Sequence, residues 1–274
     1  MLNRYKLKIP ETDIGKTYDD SCITVVSSNI RCKCSVDKKE KNWFYRGPLL
    51  VQTLIDANAD IIGMQEVKKE PFRLITSALH GYGSVIEYRD KSRDPESCPI
   101  LYNLSKFDCE RKGSFWLSET PDRISKDWGA ACYRICSYVV LNKKDDGKKF
   151  AVFNTHLDHI SEEARIKSIR LTLKKLEEFG DMPCVIMGDF NTYEDSETYW
   201  SATEKLDNAK YRAKDSDSGA TYQGWGQKLD DENIDYFLIS KEGIDVLDYK
   251  VIRTDYDGVY PSDHFPIKIK INLI

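Results

Sequence analysis

Short apolar runs that stop on polar motifs constrain this chain more than any other feature. Ile23–Asn29 closes on Ser28-Asn29-Ile30-Arg31, Asp60–Val67 contains Met64-Gln65-Glu66-Val67, and Phe150–His156 closes on Asn154-Thr155-His156. Cys184–Met187 runs into Gly188-Asp189-Phe190-Asn191, and Ser262-Asp263-His264-Phe265-Pro266 stands near the end of the chain. Runs this short and this rich in β-branched residues read as buried strands. Strands that finish together bring their terminal side chains to one cleft, so motifs far apart in sequence can form one site.

The rest of the pattern fits a mixture of strands and helices. Strands are expected near Pro99–Tyr102, Phe107–Trp116, Tyr133–Asn142, Ile234–Ser240, Val246–Arg253 and His264–Ile271. Helices are expected at Pro48–Asn58, with Pro48 in the first turn, at Pro71–His80, and at Glu162–Phe179. Ser161 can cap the last of these, Ile166, Ile169, Leu173 and Leu176 repeat at helical spacing, and Gly180 can end it. Strands outnumber helices, and turns such as Lys144-Asp145-Asp146-Gly147 are short. Mixed α/β sheets follow, rather than a purely parallel doubly wound one.

With 274 residues the chain can bury a large core, and one large domain is as compatible with that length as two small ones. Residues 1–20 read as a polar N-terminal extension and 21–274 as one domain. The net charge of −4 argues against a broad duplex-binding surface and leaves room for a local basic groove. No apolar run approaches a transmembrane length, and Met1-Leu2-Asn3-Arg4-Tyr5 leads into no apolar segment, so a cytoplasmic, monomeric protein is expected. The eight cysteines lack paired zinc spacing and read as free thiols.

The motif residues form a chemical set. Glu66 and Asp263 are hard oxygen ligands suited to Mg²⁺ or Mn²⁺. Asp189 can orient or deprotonate water, and Asn191, two residues on, can donate to a phosphate oxygen. Two of only four histidines, His156 and His264, fall in the motifs, and Asp235 can hold one imidazole in its tautomer. Taken singly, each has a plainer reading, such as a solvated strand-end carboxylate or an Asx turn.

In these residues the chain resembles the endonuclease/exonuclease/phosphatase superfamily, from about Ile23 to Ile271. The resemblance implies a four-layer α-β-β-α sandwich of two mixed sheets, with the site at one end. It implies metal-site roles for Asn29, Glu66 and Asp263, and a nucleophile-activating role for Asp189 with Asn191 as its phosphate-contacting neighbour. It implies a phosphate-facing His156 and an Asp235–His264 pair.

Phe115-Trp116-Leu117-Ser118-Glu119-Thr120-Pro121 and Tyr260-Pro261-Ser262-Asp263-His264-Phe265-Pro266 resemble a bacterial subgroup near the deadenylase and nocturnin-like branch. Arg31 stands where exonuclease III-like enzymes carry an acidic residue, and His156 where they carry Tyr. Glu232-Asn233-Ile234-Asp235-Tyr236 replaces the Pro-Ala-Trp-Cys-Asp-Arg segment of inositol 5-phosphatases, and Gln223 stands where related sequences often show His.

Arg31 with Trp43 and Arg46, Trp116 with Trp128 and Arg134, and Tyr222 with Trp225 can read a base or sugar, or simply pack. Arg31, Trp116, Arg134 and Trp225 are therefore the expected substrate contacts. Glu96 is a further candidate for the cleft, and His159 can line the cleft or cap the following helix. The leading expectation is an Mg²⁺-dependent nuclease on single-stranded nucleic acid, with 3′-to-5′ exoribonuclease action as one form of it. The alternatives are a phosphatase or phosphodiesterase acting on a small molecule or lipid head group, and an inactive binding module on the same fold.

Overall fold

The computed structural model describes residues 22–227 and 233–274; the expected extension over 1–20 and Glu232 lie outside them. In chain order the strands are β1 (Ile23–Asn29), β2 (Ile61–Gln65), β3 (Tyr82–Val85), β4 (Ile100–Asn103), β5 (Phe107–Trp116), β6 (Ile135–Lys143), β7 (Lys149–His156), β8 (Cys184–Asp189), β9 (Leu206–Asn208), β10 (Asp215–Ser216), β11 (Asp235–Ser240), β12 (Ile244–Val251) and β13 (Ile267–Leu273). The helices are α1 (Trp43–Ala57), α2 (Lys69–Ala78), α3 (Glu162–Glu177), α4 (Glu197–Thr203) and the single turn α5 (Ala209–Arg212).

One sheet runs β10-β12-β13-β1-β2-β4-β3 and the other β5-β6-β7-β8-β11-β9. Both are mixed. β1 pairs with β2 in parallel and with β13 antiparallel, and β8 pairs with β7 in parallel and with β11 antiparallel. Val25, Ile61, Ile267 and Ile269 from the first sheet share one core with Val152, Val185, Met187 and Phe237 from the second. On the outer face of the first sheet, Val26, Ile62 and Met64 pack with Leu50 and Leu54 of α1 and Ile75 of α2. On the outer face of the second, Phe153 and Ile186 pack with Ile169 and Leu173 of α3. These are the four layers of an α-β-β-α sandwich.

Layering explains the sequence pattern. β1 is buried along its whole length because a helix covers one face and a sheet the other, so it reads as an unbroken apolar run. In β13, buried Ile267, Ile269 and Ile271 alternate with partly exposed Lys268 and Lys270. Ser161 caps α3 as expected, its hydroxyl accepting the Ala164 N–H at 3.1 Å.

The starts of α1 and α2 differ from the sequence expectation, and α2 and α3 each end two residues early, at Ala78 and Glu177. α1 starts at Trp43, capped by the Asn42 side chain, which accepts the Phe44 N–H at 3.0 Å. Pro48 thus lies inside the helix, just after Gly47, where a Cβ would meet the Trp43 ring at 2.9 Å. α2 begins at Lys69, which leaves Pro71 within its first turn. The short elements β3, β9, β10, α4 and α5 carry too little periodicity to be seen in the sequence.

Register sets up the site. His156 on β7 lies beside Asp189 on β8, and Asp189 lies opposite Asp235 on β11, so three strands place three polar residues in one row. Gly188, one residue before Asp189, has φ +145°, and a Cβ there would land on the Thr155 carbonyl oxygen. We expect Gly188→Ala to lower unfolding free energy by about 3 kcal/mol in chemical denaturation. A variant as stable as the parent would show that β7 and β8 can separate freely at this point.

Candidate active site

The row on the second sheet meets a set of side chains from the first. Asn29 ends β1, and its Nδ2 donates to Asp189 Oδ2 at 2.9 Å and to Glu66 Oε1 at 3.2 Å. Glu66 follows β2, and its other oxygen accepts the Cys32 N–H at 2.7 Å. His264 Nδ1 lies 2.9 Å from Asp235 Oδ2, and its Nε2 lies 3.7 Å from Asp189 Oδ2. His156 Nε2 is 3.4 Å from the same Asp189 oxygen. Asn191 donates its backbone N–H to Asp189 Oδ1 at 2.9 Å and its side-chain amide to the Leu157 carbonyl at 3.1 Å.

The turn carrying Asp263 and His264 is fixed by buried groups. Ser262 Oγ donates to the Asn29 carbonyl at 2.7 Å. Gln223 Nε2 donates to the Ser262 carbonyl at 2.7 Å, and the Gln223 and Gly224 N–H groups donate to the Asp263 carbonyl at 2.9 and 3.0 Å. Gln223 therefore serves as a clamp for this turn. Arg46 plays a matching part: wholly buried, it donates to the carbonyls of Ile30, Arg31, Cys32 and Pro261. The Trp43 and Trp225 rings lie over its guanidinium at 5.1 and 5.6 Å.

These groups surround a cleft of about 520 Å³. Arg31, Glu66, Arg134, His156, Asp189, Asn191, Asp263 and His264 line it, as do Glu96 and His159. Asn29 and Asp235 are buried and touch lining residues. Trp116 and Trp225 are not among the lining residues. Trp116 packs with Cys98 and Ile135 and donates its Nε1–H to the Arg89 carbonyl at 2.7 Å, whereas Trp225 covers Arg46. His159 meets Arg134 Nη2 at 3.1 Å, and Ser161 takes the helix cap. Arg89 and Tyr193 also line the cleft, and no sequence motif marks either. Glu66, Arg31 and Asn191 all hold positive φ, at 63°, 51° and 49°, a left-handed conformation that costs most for the first two, since Asn adopts it more readily.

Burial sets the electrostatics. Asp189 is pushed up by burial and by the neighbouring Asp235 charge, against the pull of His264 and Asn29. His264 loses solvation by burial, but Asp235, Asp189 and Asp263 outweigh that and raise it. His156 is held well below its ordinary value by burial and by the charges of Arg134 and Arg89. One imidazole is thus favoured charged and the other neutral.

Asp263 is pushed up by burial and by the Glu66 charge, with Arg31 only 3.9 Å away as a partial counter-charge. Glu66 is held below its ordinary value, against burial, by the Cys32 N–H and the His264 charge, so it stands ionised beside Asp263, and two carboxylates lining one cleft are a donor set that suits a hard divalent cation. Asp189, Asp235 and His264 form a second cluster, with ligand atoms within 4.8 Å of one another. There, however, His264 Nδ1 is already engaged by Asp235. Among the described residues, no helix is long and apolar enough to cross a membrane.

Comparison with known proteins places the chain in a family. The model of the Endonuclease/Exonuclease/phosphatase family matches residues 26–264. The CCR4-Not complex 3′-5′-exoribonuclease subunit Ccr4 of Candida albicans is 24% identical over 324 residues, covering 91% of this chain and 41% of that protein. An endonuclease/exonuclease/phosphatase family protein from Bacteroides thetaiotaomicron superposes with a TM-score of 0.84 at 31% identity, covering 93% of this chain and 98% of that one. A mannosyl-6-phosphatase from the same species gives a TM-score of 0.83 at 32% identity, covering 91% and 99%. The chain spans only 31%, 41% and 59% of the length of three curated relatives it matches.

The β7–α3 connection yields a pH prediction. Asp158 accepts N–H groups from Ile160 and Ser161 at 3.0 Å and from Cys132 at 3.2 Å. Although burial opposes it, these bonds bring the carboxyl down to about 2. A depressed acid stabilises the fold above its unfolded value, near 4, and that contribution is lost as pH falls towards 2. In acid titrations followed by circular dichroism, Asp158→Asn should flatten the stability loss between about pH 4 and 2. An unchanged acid limb would contradict this role.

Proposed function

The chain belongs to the endonuclease/exonuclease/phosphatase family, and from that premise we propose that it hydrolyses the phosphoester of a small, hydrophilic substrate. The observation that carries this reading is the composition of the cleft. Acid-base residues stand in register at its base, arginines and carboxylates share its walls, and no tryptophan is among its described lining residues. Carboxylates in the walls repel a polyanionic strand but accept bonds from alcohols. The full-length likeness to a mannosyl-6-phosphatase supports the same choice.

In this proposal Glu66 and Asp263 hold a divalent cation, with Asn29 orienting Glu66. A bound cation would supply positive charge for the phosphate and the departing oxygen. The protein's own residues do the rest. Asp189, raised by its buried setting, receives a proton from the attacking water. His264, kept protonated by Asp235, donates from Nε2 to a phosphate oxygen, and neutral His156 donates to another. Arg31 and Asn191 line the same end and position the phosphate.

A second reading, hydrolysis at the end of a single-stranded nucleic acid, is supported by the Ccr4 match and by Tyr193, a partly exposed aromatic on the cleft lining. Phosphate release from small phosphoesters with Mg²⁺, run beside labelled oligonucleotides, separates the two. We expect release from small esters, lost on chelation and lowered about 10³-fold or more in Asp189→Asn and in His264→Gln. Cleaved oligonucleotides with intact small esters would favour the second reading instead.

The clamp gives a separate test. Gln223→Ala should weaken Mg²⁺ binding about tenfold or more in calorimetric titration, because it frees the turn that carries Asp263. Unaltered affinity would remove Asp263 or its clamp from the cation site.

A further inference from the structure

The cleft carries polar groups that the hydrolytic step leaves unused: Glu96, Arg89 and Arg134. Their placement is rigid. Ser97 bridges to both Val67 and Tyr88, and its hydroxyl donates to the Val67 carbonyl at 2.7 Å, which holds Glu96 beside the segment bearing Glu66. The Arg89 N–H donates to the Glu96 carbonyl at 2.9 Å, and Arg89 Nη1 lies 2.8 Å from Glu96 Oε2. Trp116 pins Arg89 through its carbonyl.

Arg134 is only 5% exposed. Its Nη2 meets His159, while its Nε is 3.6 Å from Asp158 and makes no hydrogen bond. Its Nη1 and the Nε of Arg89 are likewise buried and make no hydrogen bond among the described residues, although Arg89 Nε lies 3.8 Å from Asp90 Oδ2. Such donors cost free energy until an acceptor reaches them. A recess of about 10 Å³, lined by Glu66, Arg89, Glu96, Arg134 and His156, adjoins them, with room for one oxygen-sized group.

The combination selects a ligand chemistry. Arginine offers only donors and a carboxylate only acceptors, and a hydroxyl group answers both at once. An apolar substituent would strand the arginine donors, and a second phosphate would meet the Glu96 charge. We propose that Glu96, Arg89 and Arg134 read the hydroxyl groups of the leaving alcohol, so that the substrate is the phosphomonoester of a sugar or polyol. This inference rests on the small-phosphoester reading above and adds the residues that choose among such esters.

The test compares a hexose 6-phosphate with tetrahydropyran-2-ylmethyl phosphate, which keeps the ring and phosphate but lacks the hydroxyls, in the presence of Mg²⁺. In the unmodified protein kcat/KM should favour the hexose ester by about tenfold or more, an arm that requires no variant to fold. In Glu96→Gln that preference should fall by about tenfold, chiefly through KM for the hexose ester, since one acceptor becomes a donor. Hydrolysis of both esters with equal kcat/KM, or a Glu96→Gln effect of the same size on both, would overturn the hydroxyl-reading role and leave the phosphoester reading standing. Hydrolysis of neither ester by a preparation that cleaves oligonucleotides would overturn both.

Discussion

The site depends on one side-chain amide. Asn29 sits at the end of a strand in the first sheet and donates at once to Glu66 in its own sheet and to Asp189 in the other. The apolar core between the sheets drives them together but fixes no alignment, because burial of hydrocarbon has no direction. Buried amides supply that alignment. Gln65 donates to Asn154 at 2.6 Å, and Asn154 donates to the Met64 and Pro99 carbonyls at 2.8 and 2.9 Å. A slip between the sheets would leave several buried groups unpaired, at about 1–3 kcal/mol each. Uniqueness of register is therefore concentrated at the end where the chemistry needs it.

The same end concentrates electrostatic cost. Asp189 and Asp263 are buried and pushed up, first by burial and then by the Asp235 and Glu66 charges respectively. The positive φ values of Arg31, Glu66 and Asn191 add backbone strain in the same place. Stability lost here is offset by the packed strands behind it, where β1, β2 and β8 are buried throughout. Such a cleft favours whatever neutralises its carboxylates and answers its arginines.

Much of this was legible in the sequence because it is local. Asn29, Glu66, His156 and Asp189 each stand at or just after a strand end, which is readable locally, whereas their meeting across two sheets follows from the sandwich that the family resemblance implies. The sandwich and the Asp235–His264 pairing came from the family resemblance, and the distance of 2.9 Å between them agrees with it. The tryptophans were not legible. Trp116 and Trp225 look like substrate platforms in sequence, but each is committed to an arginine that tertiary contacts bring to it. Arg89 carries no motif at all, since its position comes from a bridge between Tyr88 and Ser97. Pro48 misled for a related reason: the Asn42 cap starts α1 at Trp43, so the proline falls beyond the first turn, where it leaves the Phe44 carbonyl without its i+4 donor.

Two groupings in this cleft could hold a cation, and in the proposed arrangement Glu66 and Asp263 take it while Asp235 holds His264. Anomalous diffraction from crystals grown with Mn²⁺ tests that assignment most directly. The expected result is a manganese peak ligated by Glu66 and Asp263, with the His264–Asp235 bond intact. A peak coordinated by Asp189, Asp235 and His264 would contradict it, because the proton-handling row would then be the metal site.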